Sequence, residues 1–508
     1  MRPGEVKRLT AMIARPEEIP DELSSLDCLL RDIARITIEL ETPMHIGSGK
    51  EWDESDAGFV LDANGLPTVP LSGLLGVLRH AYTKTHGAKA ANSLFGFQGH
   101  KANGEGTGRG SRLRGSFGCI HDSGDMPIYG LSGKTDRVIA AALRPALRDH
   151  ARLNGSGVAV NKFDELVVCV GHRFTFELEL IGNEGDKAHW NALISLLSDP
   201  LTRLGGKSRR GLGRFRVVRM LRRRFDFVNG GFEDYASYDS QLHVPVSVSE
   251  VQPGKWQSFT PQITIPPTIT VTLRPRFFWM FGSGRDIDGD SDIAPVREQR
   301  IIWEGNVPKV HKELLYLPGS SLKGALRHRA WFHAQAKFGH FADKPNPRMK
   351  AEAQRVVTAL FGNEWDAERE TRRLQPGILR IDDQFQQIEA TLAPLQHHVS
   401  IDRFTGGARE SLLFDERPAW RSGTDDRVTC ENQPGFSFSI QLLRELEADE
   451  EEVLRRCLND LTQGRLSIGG GSGRGHGFCD GSYISKFGSS ESDGLSLVSK
   501  DNSTIATP

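Results

Sequence analysis

Two glycine-rich segments organise this sequence: GGKSRRGLG at residues 205–213 and GGGSGRGHG at residues 469–477. Both begin with paired glycines, end with a glycine and carry an arginine at the sixth position. They are the last of five landmarks that occur twice, in the same order, in a chain of 508 residues. Ordered self-similarity is the pattern of a duplicated structural unit. The sequence therefore predicts two divergent copies of one domain.

The other four landmarks precede the glycine-rich segment in each copy. They are Gly-Ser-Gly (47–49 and 282–284), a Ser-Asp segment (55–60 and 291–296), SGLLGVLRH and SSLKGALRH (72–80 and 320–328), and ARLNGSGVAVNKFDE and DRFTGGARESLLFDE (151–165 and 402–416). With a short Leu-Phe-Gly match (94–96 and 360–362), the spacing between copies runs from 235 to 266 residues. Small insertions therefore separate the two copies.

These landmarks set the expected domain boundaries. An N-terminal extension (1–30) precedes copy one (31–224), and copy two spans residues 263–487. The segment between the copies, 225–262, is rich in Gly, Ser, Pro and Asp, which predicts a linker. The Ser-rich tail, 488–508, is predicted to be disordered.

Each copy alternates strand patterns with helix patterns. Apolar and polar residues alternate in ARITIELE (34–41) and RFTFELEL (173–180), which predicts strands, and FSFSIQL (436–442) repeats the second of these in copy two. A helical pattern follows each strand. This order predicts an α+β fold: two tandem ferredoxin-like (RRM-like) domains with insertions. That fold commonly presents a sheet face to RNA.

Composition and charge narrow the classes of function. The net charge is -1, but ten Lys or Arg residues and no Asp or Glu lie between Leu201 and Arg224. A local basic patch of this kind binds polyanions. The six cysteines are scattered and form no CxxC pair, which argues against a disulfide framework or a zinc site. Without a long apolar run or a secretory signal, the sequence predicts a cytoplasmic protein with no membrane partner.

The first glycine-rich segment carries the basic side chains Lys207, Arg209, Arg210 and Arg214. Glycines let backbone amides approach phosphates, and nearby guanidinium groups neutralise their charge. A flexible turn with solvated charges is the alternative. The second segment retains an arginine, Arg474, which favours the anion-binding interpretation.

A second anion site is predicted at PGSSLKGALR (318–327), where Ser320 or Ser321 is the expected N-cap of a helix. A helix N-terminus offers free amides and partial positive charge, to which Lys323 and Arg327 would add. The alternative is an ordinary cap with surface charges.

The acidic segments suggest chemistry. Asp56 and Asp292 occupy matching Ser-Asp positions, and Asp53 and Asp288 also correspond. A carboxylate facing RNA would bind Mg²⁺ or assist deprotonation of a 2′-hydroxyl, so Asp56 and Asp292 are the candidate catalytic and metal-binding residues. A solvated acidic turn is the alternative. His80 and His328 are equivalent positions that each follow an arginine on a predicted helix; without metal-binding spacing among the histidines, this pair is interpreted as surface structure.

The ordered set LPGSSLKGALR, LFG, HHVSIDRFTGGARESLLFDE and IGGGSGRGHG resembles the RAMP superfamily of CRISPR systems, with copy two matching more strongly. The resemblance is to backbone subunits of type III effector complexes, and two copies in one chain look like the fused form of III-D-like effectors.

This resemblance implies a subunit that lines guide RNA (crRNA) and cleaves complementary target RNA. The cut would be metal-dependent, with divalent metal, most simply Mg²⁺, at the Asp positions. Hairpins at 397–416 and 148–165 would wedge between guide and target. Implied partners are further RAMP backbone subunits, a large polymerase-like subunit and a small subunit. The RNA-binding candidates are Ser72, Arg79, Arg152, Lys207, Arg209, Arg210, Arg214, Ser320, Ser321, Lys323, Arg327, Arg403 and Arg474.

Copy one departs from the pattern, with Leu75 in place of Lys323 and Gly73 in place of Ser321. Three functions stay open at this point. The first is a backbone subunit with target endoribonuclease activity in one or both copies. The second is the same scaffold without catalysis, and the third is a RAMP endoribonuclease that processes guide precursors.

Overall fold

The computed structural model describes residues 29–49, 58–100, 106–133, 135–153, 159–246, 248–252, 255–261, 266, 268–282, 291–363, 375–385, 394–419 and 436–485. The predicted extension before residue 29 and the predicted tail from 488 lie outside those residues.

Copy one is a mixed unit of helices and strands. In chain order its elements are β1 (Leu30–Leu40), α1 (Leu71–Phe95), β2 (Phe97–His100), β3 (Gly106–Arg109), β4 (Leu113–Gly115), β5 (Cys119–Ile120), α2 (Arg137–Ala142), β6 (Ala146–Leu153), β7 (Ala159–Val167), β8 (Arg173–Gly182), α3 (Lys187–Ser195), β9 (Phe215–Asp226), α4 (Gly231–Ala236) and β10 (Gln257–Ser258). The central sheet is antiparallel in the order β10-β9-β1-β8-β4, and β5 also pairs with β8.

Copy two repeats this arrangement. Its elements are β11 (Thr268–Pro275), β12 (Arg297–Glu304), β13 (Val307–Leu317), α5 (Gly319–Phe338), α6 (Pro347–Phe361), β14 (Leu379–Ile381), β15 (Gln384–Phe385), β16 (Gln396–Ile401), β17 (Ala408–Glu416), β18 (Phe436–Leu442), α7 (Ala448–Thr462) and β19 (Cys479–Ser485). The central sheet is antiparallel in the order β14-β18-β11-β19.

The two sheets have the same topology. In each copy the first strand lies between the last strand and the third, and the second strand lies beyond the third. With one helical segment after the first strand and one after the third, this is the βαββαβ order of a ferredoxin-like fold. The predicted tandem α+β fold is confirmed.

Each copy has its own apolar core. In copy one Leu74, Leu78 and Tyr82, four residues apart on α1, are fully buried against the sheet residues Ile36 and Phe176. Apolar side chains with this spacing lie on one helix face, so burying that face against the sheet fixes the helix. The core of copy two is built in the same way, by Leu322, Leu326, Ala330 and Ala334 of α5.

Two long hairpins project from the cores. The β6–β7 hairpin of copy one pairs Arg148 with Glu165, and the β16–β17 hairpin of copy two pairs Gln396 with Glu416. They correspond to the hairpins predicted at 148–165 and 397–416. Copy two has a further hairpin, β12–β13, between its Ser-Asp segment and its first helix.

The predicted linker, 225–262, contains ordered structure, so the interpretation as a linker is wrong for its described part. Helix α4 and strand β10 lie within it, and β10 extends the sheet of copy one. Trp256 is buried in a small cluster with Ile33, Leu221 and Phe225. Composition alone suggested a linker, but a few aromatic residues anchor the segment to copy one.

The predicted cap of α5 is also wrong. The N-cap is Pro318, and Ser320 and Ser321 lie inside the helix without a side-chain cap. The Asp383 carboxylate accepts a hydrogen bond from the Gly319 N–H at 2.7 Å. A carboxylate from elsewhere in the chain therefore accepts a hydrogen bond from the amide of the first helical residue, and neither serine acts as the cap.

No helix among the described residues is long and apolar enough to span a bilayer.

Candidate nucleic-acid interface

The two glycine-rich loops have the same backbone course. Each makes one 3₁₀ turn, Ser208–Arg210 in copy one and Ser472–Arg474 in copy two. A Cβ atom on Gly205 or on Gly469 would lie 2.2 Å from a carbonyl oxygen in the segment after the first strand of its copy. Both glycines also have positive φ. Glycine is required there because the loop packs directly against the backbone.

A buried carboxylate fixes each loop to the base of a hairpin. Glu165 on β7 forms a salt bridge with Lys207, and its side chain is 0% exposed. Glu416 on β17, equally buried, binds Arg474, whose Nε lies 2.9 Å from Oε1. Lys207 is the third residue of its loop and Arg474 the sixth. The copies therefore make the same contact from different loop positions.

A histidine and a phenylalanine complete each constellation. His150 Nε2 lies 2.7 Å from the buried glutamate of copy one, and His398 Nε2 lies 3.0 Å from that of copy two. Each ring stacks on a phenylalanine, Phe163 or Phe414, with centroids 5.0 Å apart. The cation of the loop lies over the same phenylalanine ring, at 5.0 Å in copy one and 5.3 Å in copy two.

Electrostatics agree with this geometry in copy one. Burial by itself would raise the pKa of Glu165, but the hydrogen bonds from His150 and Lys207 lower it to about 2. The carboxylate is therefore ionised and holds the loop cation in place at neutral pH.

The hairpin of copy two ends in an exposed apolar tip. Phe404 is 89% exposed, and Ile401 and Leu413 are also largely exposed. The Arg403 guanidinium lies 5.5 Å from the centroid of the Phe404 ring. An apolar tip with a cation beside it suits stacking on nucleobases next to phosphates.

In copy one the corresponding tip, 154–158, lies outside the described residues. Arg152 is on β6, but its side chain is also outside the described part of the chain.

The start of α5 places Lys323 in a strongly basic environment. Lys323 Nζ donates hydrogen bonds to Leu379 O at 2.8 Å and to Arg209 O at 3.2 Å. Burial lowers the pKa of Lys323, and the charges of Arg209, Arg210, Arg327 and Arg380 lower it further, to about 8. Arg327 is half-buried one turn further along the helix. Basic residues of both copies therefore converge at this point.

Three candidates of copy one lie on its surface or within its own structure. Ser72 is exposed in the first turn of α1. Arg79 donates to Asn92 Oδ1 at 2.8 Å, so it supports the helix. Arg210 is exposed, 5.9 Å from the centroid of the Phe163 ring.

Two other candidates of copy one reach copy two. Arg209 donates a hydrogen bond to Gly377 O, and burial lowers its pKa. Arg214 lies 2.6 Å from Glu41 and 3.2 Å from Asp382. Both therefore contribute to contact between the copies, a role that the sequence did not indicate.

Asp292 lies at the base of the copy-two hairpin. Its Oδ2 accepts a hydrogen bond from the Asp415 N–H at 2.9 Å, and Ile293 bridges to Glu416. His397 Nδ1 is 2.6 Å from the Asp415 carboxylate. The described part of the acidic segment is thus beside the hairpin. Asp56, Asp53 and Asp288 lie outside the described residues.

The donor set at Asp292 fits only a loosely held metal. Among the described residues no group of three His, Cys, Asp or Glu side chains is placed to hold an ion. Mg²⁺ is commonly bound by one or two carboxylates together with phosphate and water. The exposed carboxylate of Asp292, with Asp415 beside it, matches that smaller set.

The buried glutamates and the phenylalanines beside them were not predicted as functional residues, although the sequence repeat contains them. Glu165 and Glu416 end the fourth landmark, and Phe163 and Phe414 also recur there. A charged residue that recurs beside a phenylalanine and then proves fully buried indicates an internal partner for a basic group.

A model of the RAMP superfamily matches residues 37–216 and 278–480. Among solved structures, the chain is similar to a chain of the type III-B Cmr-beta bound to cognate target RNA, determined by cryo-EM. That similarity has a TM-score of 0.28 and 16% identity, and it covers 38% of this chain and 61% of the other. No curated protein matches the chain.

Proposed function

The chain belongs to the RAMP superfamily, and on that premise we propose that it is a guide-RNA-binding backbone subunit of a type III CRISPR effector complex. In a III-D-like form of such a complex, one chain supplies two backbone units. Its ligands are guide RNA and complementary target RNA. It works in the cytoplasm with further RAMP backbone subunits, a large polymerase-like subunit and a small subunit.

The observation that carries this proposal is the repeated loop, glutamate and hairpin constellation. In both copies a buried carboxylate, Glu165 or Glu416, fixes a basic glycine-rich loop to the hairpin base. The apolar core of each copy does not require this ion pair, because a buried charge lowers stability unless an opposite charge lies in close contact with it. The arrangement instead sets exposed basic groups such as Arg210 at a fixed distance from a hairpin, as repeated contacts along one RNA strand require.

The hairpin of copy two supports an RNA duplex as the ligand. Phe404 and Ile401 expose apolar surface on a two-stranded projection, and Arg403 supplies charge beside them. Aromatic stacking on bases is worth roughly 1–3 kcal/mol per base. Such a tip would separate stacked bases where a guide pairs with its target.

Binding is tested with RNA recovered from the natively assembled complex. A discrete species with a repeat-derived end is expected. Arg210→Gln and Arg403→Gln should each weaken binding of that RNA and lower the salt dependence, by about 0.7 in the log–log slope for each phosphate that is no longer neutralised. Arg137→Gln, an exposed arginine on α2, is the matched control. RNA-free complex, or an equal weakening in the control, would contradict the proposal.

We further propose that Asp292, and Asp56 in copy one, support cleavage of the paired target. The 2′-oxygen attacks the adjacent phosphorus as the bond from phosphorus to the 5′-oxygen breaks, and the leaving 5′-oxygen takes a proton from water, which yields a 2′,3′-cyclic phosphate and a 5′-hydroxyl. The Asp292 carboxylate would accept or orient the hydroxyl proton. Its position is held by the hydrogen bond from the Asp415 amide.

A bound Mg²⁺ would stabilise negative charge on the phosphate. Asp292, with Asp415 beside it, is the residue that would hold it in copy two.

Cleavage is tested in the assembled complex with a matched target. Asp292→Ala and Asp56→Ala should each remove a distinct cut, and the double variant should remove all cutting while RNA affinity is retained. Asp292→Asn keeps the shape and removes the charge, so it should fail as alanine does. EDTA should abolish cleavage. A double variant that still cuts would place the chemistry elsewhere.

A scaffold without catalysis is the second candidate. The observation in its favour is that the Asp292 carboxylate already accepts a structural hydrogen bond at the hairpin base. If this is its role, Asp292→Ala should weaken the hairpin and RNA binding together, with no cleavage to lose in the unaltered complex.

A further inference from the structure

A charged junction joins the two copies. Arg203 of copy one lies 2.9 Å from Asp382 of copy two. Arg148, at the base of the copy-one hairpin, binds Glu298 at 2.6 Å and Asp383 at 2.5 Å. All five side chains are at most 4% exposed. Groups buried to this degree are stable only as partners, so the junction depends on every member.

The β12–β13 hairpin of copy two closes the junction on another side. Trp303 Nε1 donates to Gly171 O at 2.7 Å, and Ile301 N donates to Val170 O at 2.9 Å. The corresponding stretch of copy one, residues 61–70, is fully described and is too short for such a hairpin.

Aligning the two copies shows which residues stand at the junction positions on the two outer ends of the chain, where a further chain would have to bind. Equivalent backbone hydrogen bonds fix the alignment at the loop: Leu204 N to Gly213 O matches Ile468 N to Gly477 O. At the hairpin, the Arg148–Glu165 pair matches the Gln396–Glu416 pair. On this alignment each basic donor of copy one is replaced in copy two: Arg148 by Gln396, Arg203 by Ser467, Arg209 by Gly473 and Arg214 by Phe478.

The acidic acceptors of the junction belong to copy two, and two of them are replaced by uncharged residues at the matching positions of copy one. Leu113 pairs with Leu180 as Leu379 pairs with Leu442. Val69 bridges to Gly118 as Leu317 pairs with Gln384. Residues 113–118 of copy one therefore align with residues 379–384 of copy two without a gap. Ser116 and Phe117 of copy one therefore stand where copy two has Asp382 and Asp383.

The third acceptor, Glu298, has an acidic counterpart in copy one, Asp62, which already accepts hydrogen bonds within its own copy. Asp62 aligns with Glu298, but its Oδ1 accepts hydrogen bonds from the amides of Asn64 and Leu66, at 2.8 and 2.9 Å. It therefore caps a turn of its own copy.

We infer that the charges of this junction allow it to form once per chain, so that a second copy of the chain adds at neither end. In a head-to-tail pair of chains, Gln396 and Ser467 of one would meet Ser116 and Phe117 of the next, without an ion pair. A head-to-tail interface that can repeat produces filaments, and sequence differences at its two faces prevent this.

The two ends consequently fit chemically different partners. Phe117 is 57% exposed. A subunit docking on copy one must present an apolar contact to Phe117 in place of a basic side chain. A subunit docking beyond copy two meets the uncharged Gln396 and Ser467 in place of the arginines. The fold of the neighbours can be the same, but their contact residues cannot be.

The first test is the mass of the full-length, RNA-free chain in solution, by sedimentation velocity up to about 100 µM. A monomer of 56.2 kDa is expected throughout this range. Reversible self-association that Phe117→Asp in the full-length chain weakens would overturn the inference, because the outer face of copy one would then bind a second chain without the junction charges.

The second test supplies the missing charges. A donor variant carries Gln396→Arg and Ser467→Arg, and an acceptor variant carries Ser116→Asp and Phe117→Asp. Each alone should remain a monomer. The folding control is a single cooperative thermal transition, because Ser116→Asp also removes the hydroxyl that accepts a hydrogen bond from the Glu177 amide. Mixed, they should form a 1:1 complex that high salt dissociates. If folded variants do not associate on mixing, charge does not decide the pairing and the inference fails. Neither outcome depends on RNA binding or cleavage.

Discussion

The glycine-rich loops of the two copies share a backbone and differ in their contacts. Lys207, the third residue of the copy-one loop, binds the buried Glu165, which leaves Arg209 and Arg210 for other partners. Arg209 then reaches Gly377 of copy two. The copy-two loop has glycines at the positions of Lys207 and Arg209, and its one arginine, Arg474, binds Glu416.

This difference separates two roles that the sequence motif combines. The contact with the buried glutamate is common to both copies, so it belongs to the fold. The contact across the junction is made by copy one alone, so it belongs to the assembly of this chain. A duplicated unit can thus keep its internal ion pair while one copy acquires an interface.

The largest expected effect is on stability, when Arg148 at the junction is replaced by glutamine, the residue that copy two has at the matching position. Arg148→Gln leaves Glu298 and Asp383 buried without their cation. Burial by itself would lower the pKa of Arg148, but these two carboxylates raise it well above its usual value, which reflects their close contact. We expect a loss of about 3–5 kcal/mol in the free energy of unfolding, measured by denaturant titration. The exposed Arg144→Gln is the control. A loss equal to that of the control would show that the junction does not stabilise the chain.

A second prediction concerns the ion pair that both copies share. The folded pKa of Glu165 is about 2, below the ordinary value of 4.5. Its stabilisation is therefore present above pH 4.5 and is lost as pH falls from 4.5 toward 2. The shift corresponds to about 3 kcal/mol at neutral pH. Glu165→Gln should remove it, so the difference in unfolding free energy between variant and parent should shrink below pH 4.5. The exposed Glu410→Gln is the control. A difference for Glu165→Gln that is constant from pH 7 to 3 would contradict this assignment.

A third prediction converts one loop into the other. Lys207→Gly with Arg209→Gly gives copy one the residues of copy two at both positions. If the proposed function is correct, RNA binding should weaken severalfold, because the loop that carries the exposed Arg210 loses its anchors to Glu165 and Gly377. The reciprocal change at the copy-two position that has space for a side chain, Gly473→Arg, should strengthen binding. Equal affinity in all three proteins would mean that the loops do not contact RNA.

The repeat made much of the fold predictable. Strand alternation in ARITIELE and helical spacing in SSLKGALRH report local burial, and their order in two copies indicates the topology. The pairing of Glu165 with Lys207 could not be read from the sequence, because a buried ion pair joins residues 42 positions apart. The linker was misinterpreted for a related reason. A few buried aromatics, Trp256 among them, outweigh a polar composition.

The junction shows the limit most clearly. Asp382 and Asp383 look like an ordinary turn after a strand, and their partners lie 179 and 235 residues away in sequence. Only the folded arrangement of the two copies brings them together. Repetition suggested that both copies should behave alike, whereas the junction depends on positions where they differ.

The smallest expected effect concerns Lys323, which stands where copy one has Leu75. Its pKa, lowered to about 8 by burial and neighbouring arginines, makes it neutral above that value. A phosphate nearby would favour the charged form, so RNA affinity should fall as pH rises from 7 to 9. We expect about a fivefold loss, or roughly 1 kcal/mol, in equilibrium binding assays at constant salt. Lys323→Arg, charged throughout this range, should bind equally at both pH values, and Lys323→Leu should bind weakly at both. The same decline in all three proteins would assign the pH dependence to another group and remove Lys323 from the RNA interface.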